Sequence, residues 1–178
     1  LLSYASKIAE MAGGSVTALS IGDVDESELK KLTSYGASNI LSVSSEKAGD
    51  LDNKHYTSII SKAVEHTGAS IIVLSHNNTG KALAPRLSVR LKAGLASGVT
   101  AVPESVNPLV VLKKVFSGKS FSKVKVLSDK AILTLAQNSY ELVENGGEAA
   151  IEDFDPGLDV SEVNTAIKDV QKQTGKIL

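Results

Sequence analysis

Hydrophobic positions along the first half of the chain alternate between two periods. Leu1, Leu2, Ala5, Ile8, Ala9 and Ala12 recur at helical spacing, and Gly13-Gly14 follows as a stop. Ser15 to Ile21 (S-V-T-A-L-S-I) reads as a strand with Gly22 after it. Asp25 and Glu28 have the spacing of a capping box, ahead of a short helix carrying Leu29 and Leu32 and ending at Tyr35-Gly36-Ala37. Asn39 to Val43 is the next strand. The polar stretch Ser44 to Asn53 leads into a helix with Tyr56, Ile59, Ile60, Ala63 and Val64 on one face, ended by Gly68. Ile71 to Leu74 is a short continuous apolar run, the pattern of a strand covered on both faces. Ser75 to Gly80 supplies turn chemistry. Proline is tolerated in a helix's first turn, so Pro85 predicts a helix starting near Lys81 or Ala82, with Leu83, Leu87 and Leu91 as its apolar stripe.

This α-β-α-β-α-β-α order is that of a mostly parallel sheet with right-handed crossovers, flanked by helices. Such a sheet normally begins with a strand, and none precedes the first helix, which suggests a first strand lost by amino-terminal truncation. After Gly98 the pattern changes. Val99 to Val102 reads as one more strand, bounded by Pro103. Leu109 to Phe116, Phe121 to Leu127 and Ala131 to Leu135 are β-rich runs separated by tight polar turns, so an antiparallel β-meander is expected to extend the sheet. Glu144 to Asp159 is acidic, with Gly146-Gly147 and Pro156-Gly157, and reads as an exposed segment. Val163 to Ile177 fits a helix or a strand equally. The expected organisation is one α/β domain over residues 1–160, with 161–178 leading out of it.

Composition narrows the function classes. The 178 residues suffice for one domain with a substantial core. A formal net charge of −1 argues against binding nucleic acid or a membrane surface by charge alone. With no Cys, disulfides and thiolate metal sites are excluded. No run is long enough for a membrane span and no signal-peptide pattern is visible, so a soluble, intracellular protein is expected.

The sharpest local motif is Ser75 to Ala82, close to the phosphate loop Gly-x-x-x-x-Gly-Lys-Ser/Thr. Gly80 and Lys81 are correctly adjacent. Ser75 stands where the first Gly belongs and Ala82 where a magnesium-binding hydroxyl belongs, so the two features a triphosphate site needs are lost. A simpler anion pocket remains conceivable, built from Asn77, Asn78, Thr79, Gly80 and Lys81 with the backbone N–H groups of the helix start. A polar turn with a solvated Lys is the simplest alternative. His55, His66 and His76 have no metal-ligand spacing and read as surface residues; no metal site and no catalytic residue is expected. Glu152, Asp153 and Asp155 read as carboxylates facing water. Lys113, Lys114, Lys119, Lys123 and Lys125, interleaved with Phe116 and Phe121, invite a nucleic-acid reading; a protein-docking face or a solvated edge suits them better, because Lys commonly protects sheet edges.

In combination, T-G-K-A-L-A-P-R-L-S-V-R-L (Thr79 to Leu91), G-L-A-S-G-V-T-A-V (Gly94 to Val102), the S-G-K-S turn (Ser117 to Ser120) and A-I-L-T-L-A-Q (Ala131 to Gln137) carry a resemblance that covers essentially the whole chain. The chain resembles the amino-terminal domain of the electron transfer flavoprotein alpha subunit. Gly98 stands where an acidic residue is usual in that family, Lys113 or Lys114 where Arg is usual, and Ala136 where another Arg is usual. The resemblance implies an adenine nucleotide alpha hydrolase-like fold and a role as scaffold and docking surface for a beta subunit. It implies electron transfer from acyl-CoA-type flavin dehydrogenases through FAD, with the cofactor held mainly by a further, carboxyl-terminal domain and by no residue here. Residues 161–178 would be an extended linker toward that domain, and the setting would be the bacterial cytoplasm or the mitochondrial matrix. In the related beta subunit the counterpart of the Ser75 to Lys81 loop binds AMP. The alternative reading, from a different class, is a nucleotide-binding module of universal-stress type using Asn77 to Lys81. A phosphoryl-transfer enzyme would need the metal ligand that Ala82 does not provide.

Overall fold

In the computed structural model, which describes residues 1–163 and 165–169, α1 (Leu2–Ala12) ends on Gly13 in the left-handed conformation. There follow β1 (Thr17–Ile21), α2 (Glu26–Lys31) with a 3-10 turn at Leu32–Tyr35, and β2 (Asn39–Val43). Next come α3 (Ser45–Ala48), α4 (Asn53–Thr67), β3 (Ile71–Ser75), α5 (Asn78–Leu91) and β4 (Gly94–Val99). The second half contains β5 (Ser105–Val106), β6 (Leu109–Val115), β7 (Ser120–Val126), β8 (Ala131–Leu135) and β9 (Ala150–Asp153).

Two sheets form. The first is wholly parallel, in the order β1-β2-β9. The second runs β3-β8-β4-β6-β5 with β7 paired to β6; β8 lies parallel to both β3 and β4, and the β6 side is antiparallel. Helices cover both faces. On one face α1 sets Tyr4 and Ile8 against Val99, Val111, Leu133 and Leu135. The Tyr4 ring meets Tyr140 edge-on at 5.5 Å and its hydroxyl donates to Ala101 O at 3.0 Å. Burial, then the neighbouring Tyr140, pushes the Tyr4 hydroxyl up to about 12. On the other face α4 and α5 bury Ile60, Val64, Leu83, Ala84 and Leu87 against Ile72 and Ile132.

The helix–strand alternation, the parallel sheet and the antiparallel extension are as expected, and four assignments change. Ala131–Leu135 does not continue the meander. All five of its residues are buried and the strand inserts between β3 and β4, because an apolar run covered on both faces is more stable in the sheet centre than beside β7 at the edge. Helix α5 begins at Asn78 rather than near Lys81, so Pro85 lies inside it. Pro85 is exposed, so water can reach the Lys81 carbonyl it leaves unpaired, while Leu83, Ala84 and Leu87 anchor the opposite face. The next strand starts at Gly94 and stops at Val99, earlier than the expected Val99 to Val102. Gly94 is required there because a Cβ would lie 2.6 Å from Val126 Cγ1. The acidic segment contains β9, a parallel edge strand beside β2, with Phe154 buried after it.

Asp25 does precede α2, but its side chain makes no cap hydrogen bond, so the expected capping box does not form. Asp52 caps α4 instead, accepting from Lys54 N and His55 N at 2.8 and 2.9 Å. Of the segment beyond 160, Thr165 Oγ1 donates to Leu51 O at 3.3 Å and Ile167 N to Asp50 Oδ2 at 2.9 Å; residues 164 and 170–178 lie outside the described residues.

Leu133 is fully buried at the centre of the second sheet, whereas Leu127 is 81% exposed. Leu133→Ala is expected to lower unfolding stability by about 2–5 kcal/mol in urea titration, with Leu127→Ala within about 0.5 kcal/mol of the parent.

Candidate functional site

The carboxyl ends of β3, β8 and β4 come level at the amino end of α5, the place where open α/β sheets present ligand loops. The loop leaving β3 is held tightly. His76 N donates to Leu135 O at 2.9 Å, and Asn77 is the N-cap of α5, its side-chain oxygen accepting from Gly80 N at 2.8 Å. Lys81 N donates to Asn77 O at 2.9 Å and begins the helical ladder. Gly80 packs onto the end of β3 so closely that a Cβ would fall 1.8 Å from Ser75 O. Glycine at this position therefore serves helix–strand packing. The first-turn N–H groups of Gly80 and Lys81 are committed within the loop, which leaves those of Asn78 and Thr79 as the donors toward any anion.

Beside this loop a polar cluster links three strands. Thr134 of β8 is fully buried; its Oγ1 accepts from Gly98 N at 2.9 Å and lies 2.8 Å from His76 Nδ1. A buried hydroxyl needs an acceptor for its own proton, and His76 Nδ1 provides it, which places the ring proton of neutral His76 on Nε2. Gly98 sits in the left-handed region (φ 70) at a register shift of β4, and a Cβ there would lie 3.4 Å from His76 Nε2. Burial, then the charges of Lys81 and Lys113, hold the His76 pKa below its ordinary 6.5. Lys113 reaches the cluster because β6 pairs with Val99 of β4.

The five loop residues expected from sequence thus stand together at the sheet's carboxyl end, Asn77 as cap, Gly80 buried and Lys81 exposed. Sequence reasoning missed the partners His76, Gly98, Lys113 and Thr134. Only the Thr in an otherwise apolar run (A-I-L-T-L) hinted that a buried hydroxyl must find partners. Of the other histidines, His66 is exposed as expected and His55 is not. His55 is 6% exposed, with Nε2 buried and unbonded. His66 pairs with Glu152 at 3.1 Å and lies against the Phe154 ring. Glu152, Asp153 and Asp155 are exposed to water as expected, and the first two also form ion pairs: Asp153 with Lys47 at 2.9 Å, Glu152 with His66, while Asp155 accepts from Gly157 N at 2.8 Å. Together the first two tie β9 to α4 and α3. Of the basic stretch, Lys123 pairs with Glu104 at 2.9 Å, and Phe116 and Phe121 stand 80% and 57% exposed. Among the described residues no group of three or more His, Cys, Asp or Glu could hold a metal, and no helix is long and apolar enough to cross a membrane.

Because its pKa is depressed in the folded state, His76 takes up its proton more readily when unfolded. Its contribution is therefore full above about 6.5 and is lost as pH falls through the lower folded value. NMR titration should find the His76 midpoint below 6.5, and Lys113→Ala should move it upward. A midpoint unchanged by Lys113→Ala would sink this account of the cluster.

A family model for the electron transfer flavoprotein domain matches residues 1–158. The electron transfer flavoprotein subunit alpha of Bacillus subtilis is 26% identical over 163 residues, covering 90% of this chain and 50% of that protein. The subunit alpha of Clostridium acetobutylicum is 26% identical over 180 residues, covering 97% of this chain and 53% of that protein. A putative electron transfer flavoprotein subunit of Escherichia coli, YdiR, is 32% identical over 88 residues, covering 49% and 28% respectively. The chain spans about half the length of the subunit alpha relatives it matches. With the family match running through every element from α1 to β9, the chain belongs to the electron transfer flavoprotein family.

Proposed function

We propose that this chain is the α/β domain of an electron transfer flavoprotein alpha subunit and serves as scaffold and docking surface for a beta subunit. The whole protein would take electrons from flavin dehydrogenases of the acyl-CoA type and pass them on through FAD. The observation that carries the reading is the match of nearly the whole chain to proteins named subunit alpha, at half their length. The remaining half of those proteins leaves room for a separate flavin-holding domain.

FAD is assigned no ligand here. Two open hollows of the described surface are lined by Asn138, Ser139, Tyr140, Glu141 and Val143, and by a second set that includes Thr100, Leu112, Lys114, Phe121 and Gln137. Lys114 is the one cation among these lining residues, and no Gly-rich turn at a helix start stands there to hold a pyrophosphate. These residues do not fit a dinucleotide cradle. In this domain FAD chemistry is served by shape and docking.

The β6–β7 hairpin is the best-supported docking element. Phe116 at its tip and Phe121 are largely exposed, and Lys114, Lys119 and Lys125 project around them. Apolar rings inside a basic rim suit a protein partner with an acidic rim better than they suit open water. Co-expression of the full-length gene product with its beta partner should give a stable complex containing flavin, measured by gel filtration with light scattering and by absorbance. The double variant Phe116→Ser, Phe121→Ser should weaken that complex at least about tenfold. A full-length product that binds neither flavin nor a beta subunit would overturn the assignment.

The Asn77–Lys81 loop, in this reading, caps α5 and packs it on β3. Calorimetric titration with AMP or ATP should show no saturable binding at micromolar concentration, and Lys81→Ala should leave the trace unchanged. Micromolar binding abolished by Lys81→Ala would favour the universal-stress reading instead.

A further inference from the structure

Residues 136–149 carry the chain from β8, inside the second sheet, to β9, at the outer edge of the first. This crossing is pinned by a few bonds to α1 and to the 3-10 turn ahead of β2. Val143 shares the Ser3 hydroxyl, its carbonyl accepting at 3.2 Å and its N donating at 3.1 Å. Asn145 N donates to Ser34 O at 2.9 Å, and Asn145 Nδ2 donates to Ser6 Oγ at 3.2 Å. Beyond Asn145 the pinning stops until Ala149, which packs beside Leu29, Ala37 and Ile40. Gly146, Gly147 and Glu148 are exposed and belong to no helix or strand, and Gly146 lies in the left-handed region (φ 57). Its N–H makes no hydrogen bond among the described residues.

Asn145 is the one asparagine of the sequence that precedes a glycine. A glycine N–H carries no neighbouring side chain to hinder it, and one free of hydrogen bonds can lose its proton and attack the side-chain amide before it. We propose that Asn145–Gly146 is a site of spontaneous covalent modification, converting by deamidation to aspartate and isoaspartate, and that conversion loosens β9. Gly146 N bonds to Asn145 Cγ to close a five-membered imide. The Cγ–Nδ2 bond breaks, and Nδ2 leaves as ammonia with the proton that Gly146 N gave up. Water, the only co-reactant, then opens the ring. Attack at Cγ gives aspartate; attack at the Asn145 main-chain carbonyl carbon gives isoaspartate, with the chain routed through the former side chain. Other asparagines lack this freedom. Asn39 lies in the β2 ladder, the Lys54 N–H that follows Asn53 is bonded to Asp52, and Asn107 precedes a proline, which has no N–H. Conversion removes the donor that Asn145 offers Ser6 and adds a carboxylate to a run already holding Glu141, Glu144 and Glu148. Isoaspartate also lengthens the main chain just ahead of β9. That strand pairs with β2 alone and is otherwise held by Phe154 and two exposed ion pairs, so strain entering from Gly146 is relieved there first. The chemistry is the loop's own and does not depend on electron transfer.

Incubating the full-length gene product in warm buffer, at neutral and at mildly alkaline pH, tests both parts. Peptide mapping by mass spectrometry should find Asn145 converted while Asn39 and Asn53 stay intact. Conversion should be faster at the higher pH, because the attacking nitrogen must first lose its proton. Labelling with an isoaspartyl methyltransferase should find isoaspartate beside aspartate, since water can open the ring at either carbon. Asn145→Gln, which would have to close a larger ring, should slow ammonia release at this position at least about tenfold. Anion exchange separates converted from unconverted protein by the added charge. Amide hydrogen exchange at Ala150–Asp153 should be at least about threefold faster in the converted fraction, with Ala131–Leu135 unchanged. If Asn145 stays intact, converts no faster at alkaline pH, or converts no faster than Asn39 and Asn53, the modification site is refuted. Conversion that leaves exchange at Ala150–Asp153 unchanged, or that speeds it equally at Ala131–Leu135, overturns the loosening of β9.

Discussion

Burial of β8 is the constraint on which the rest of the second sheet depends. A strand with no access to water on either face must satisfy its backbone on both edges, and β3 and β4 do this in parallel register. That register brings Ser75, Leu135 and Val99 to the same level, so the loop after β3, the bulge in β4 and the end of β8 form one surface. Thr134 is the polar exception within the strand. An unbonded hydroxyl there would cost about 1–3 kcal/mol, and its bonds to Gly98 N and His76 Nδ1 avoid that cost. Those same bonds orient His76. The geometry of the candidate site is thus a by-product of a packing requirement.

Much of the fold was legible because local patterns and tertiary needs agree. Asn39–Val43 and the apolar face of α4 appear where periodicity places them, and Gly13, Gly36 and Gly68 close their helices in the left-handed conformation. Failures fall where a local signal competes with a distant one. The three-residue turn Ser128 to Lys130 suggests a hairpin, but the apolar run after it has a stronger claim on the sheet centre. Pro85 suggests a helix start, but the Asn77 cap and the buried Leu83 and Leu87 extend α5 past it. The acidic tail hides β9 because an edge strand needs only Ile151 half-buried and leaves the other positions exposed. His55 shows the reverse error, a polar residue buried at the start of α4 with its Nε2 unbonded.

The candidate site was half legible for the same reason. The residues of one loop, Asn77 to Lys81, are contiguous and can be read together. The residues that define the loop's electrostatics come from β4, β6 and β8, and nothing in sequence spacing announces that Lys113 and Thr134 will stand beside His76. The motif also misleads about purpose. Gly80 and Lys81 match a phosphate loop in letters, yet Gly80 is glycine because Ser75 O occupies the space a Cβ would need.

Gly98 joins these strands of argument. A side chain at this position would point toward His76 Nε2. A carboxylate in that place would oppose the charges of Lys81 and Lys113 and favour a protonated ring. Glycine supplies no such counter-charge, so burial first and then the charges of Lys81 and Lys113 hold the His76 pKa below its ordinary value. It also relieves the backbone, because φ 70 at the bulge strains any residue with a Cβ. One position thereby sets both the strain of β4 and the charge of the cluster beside α5.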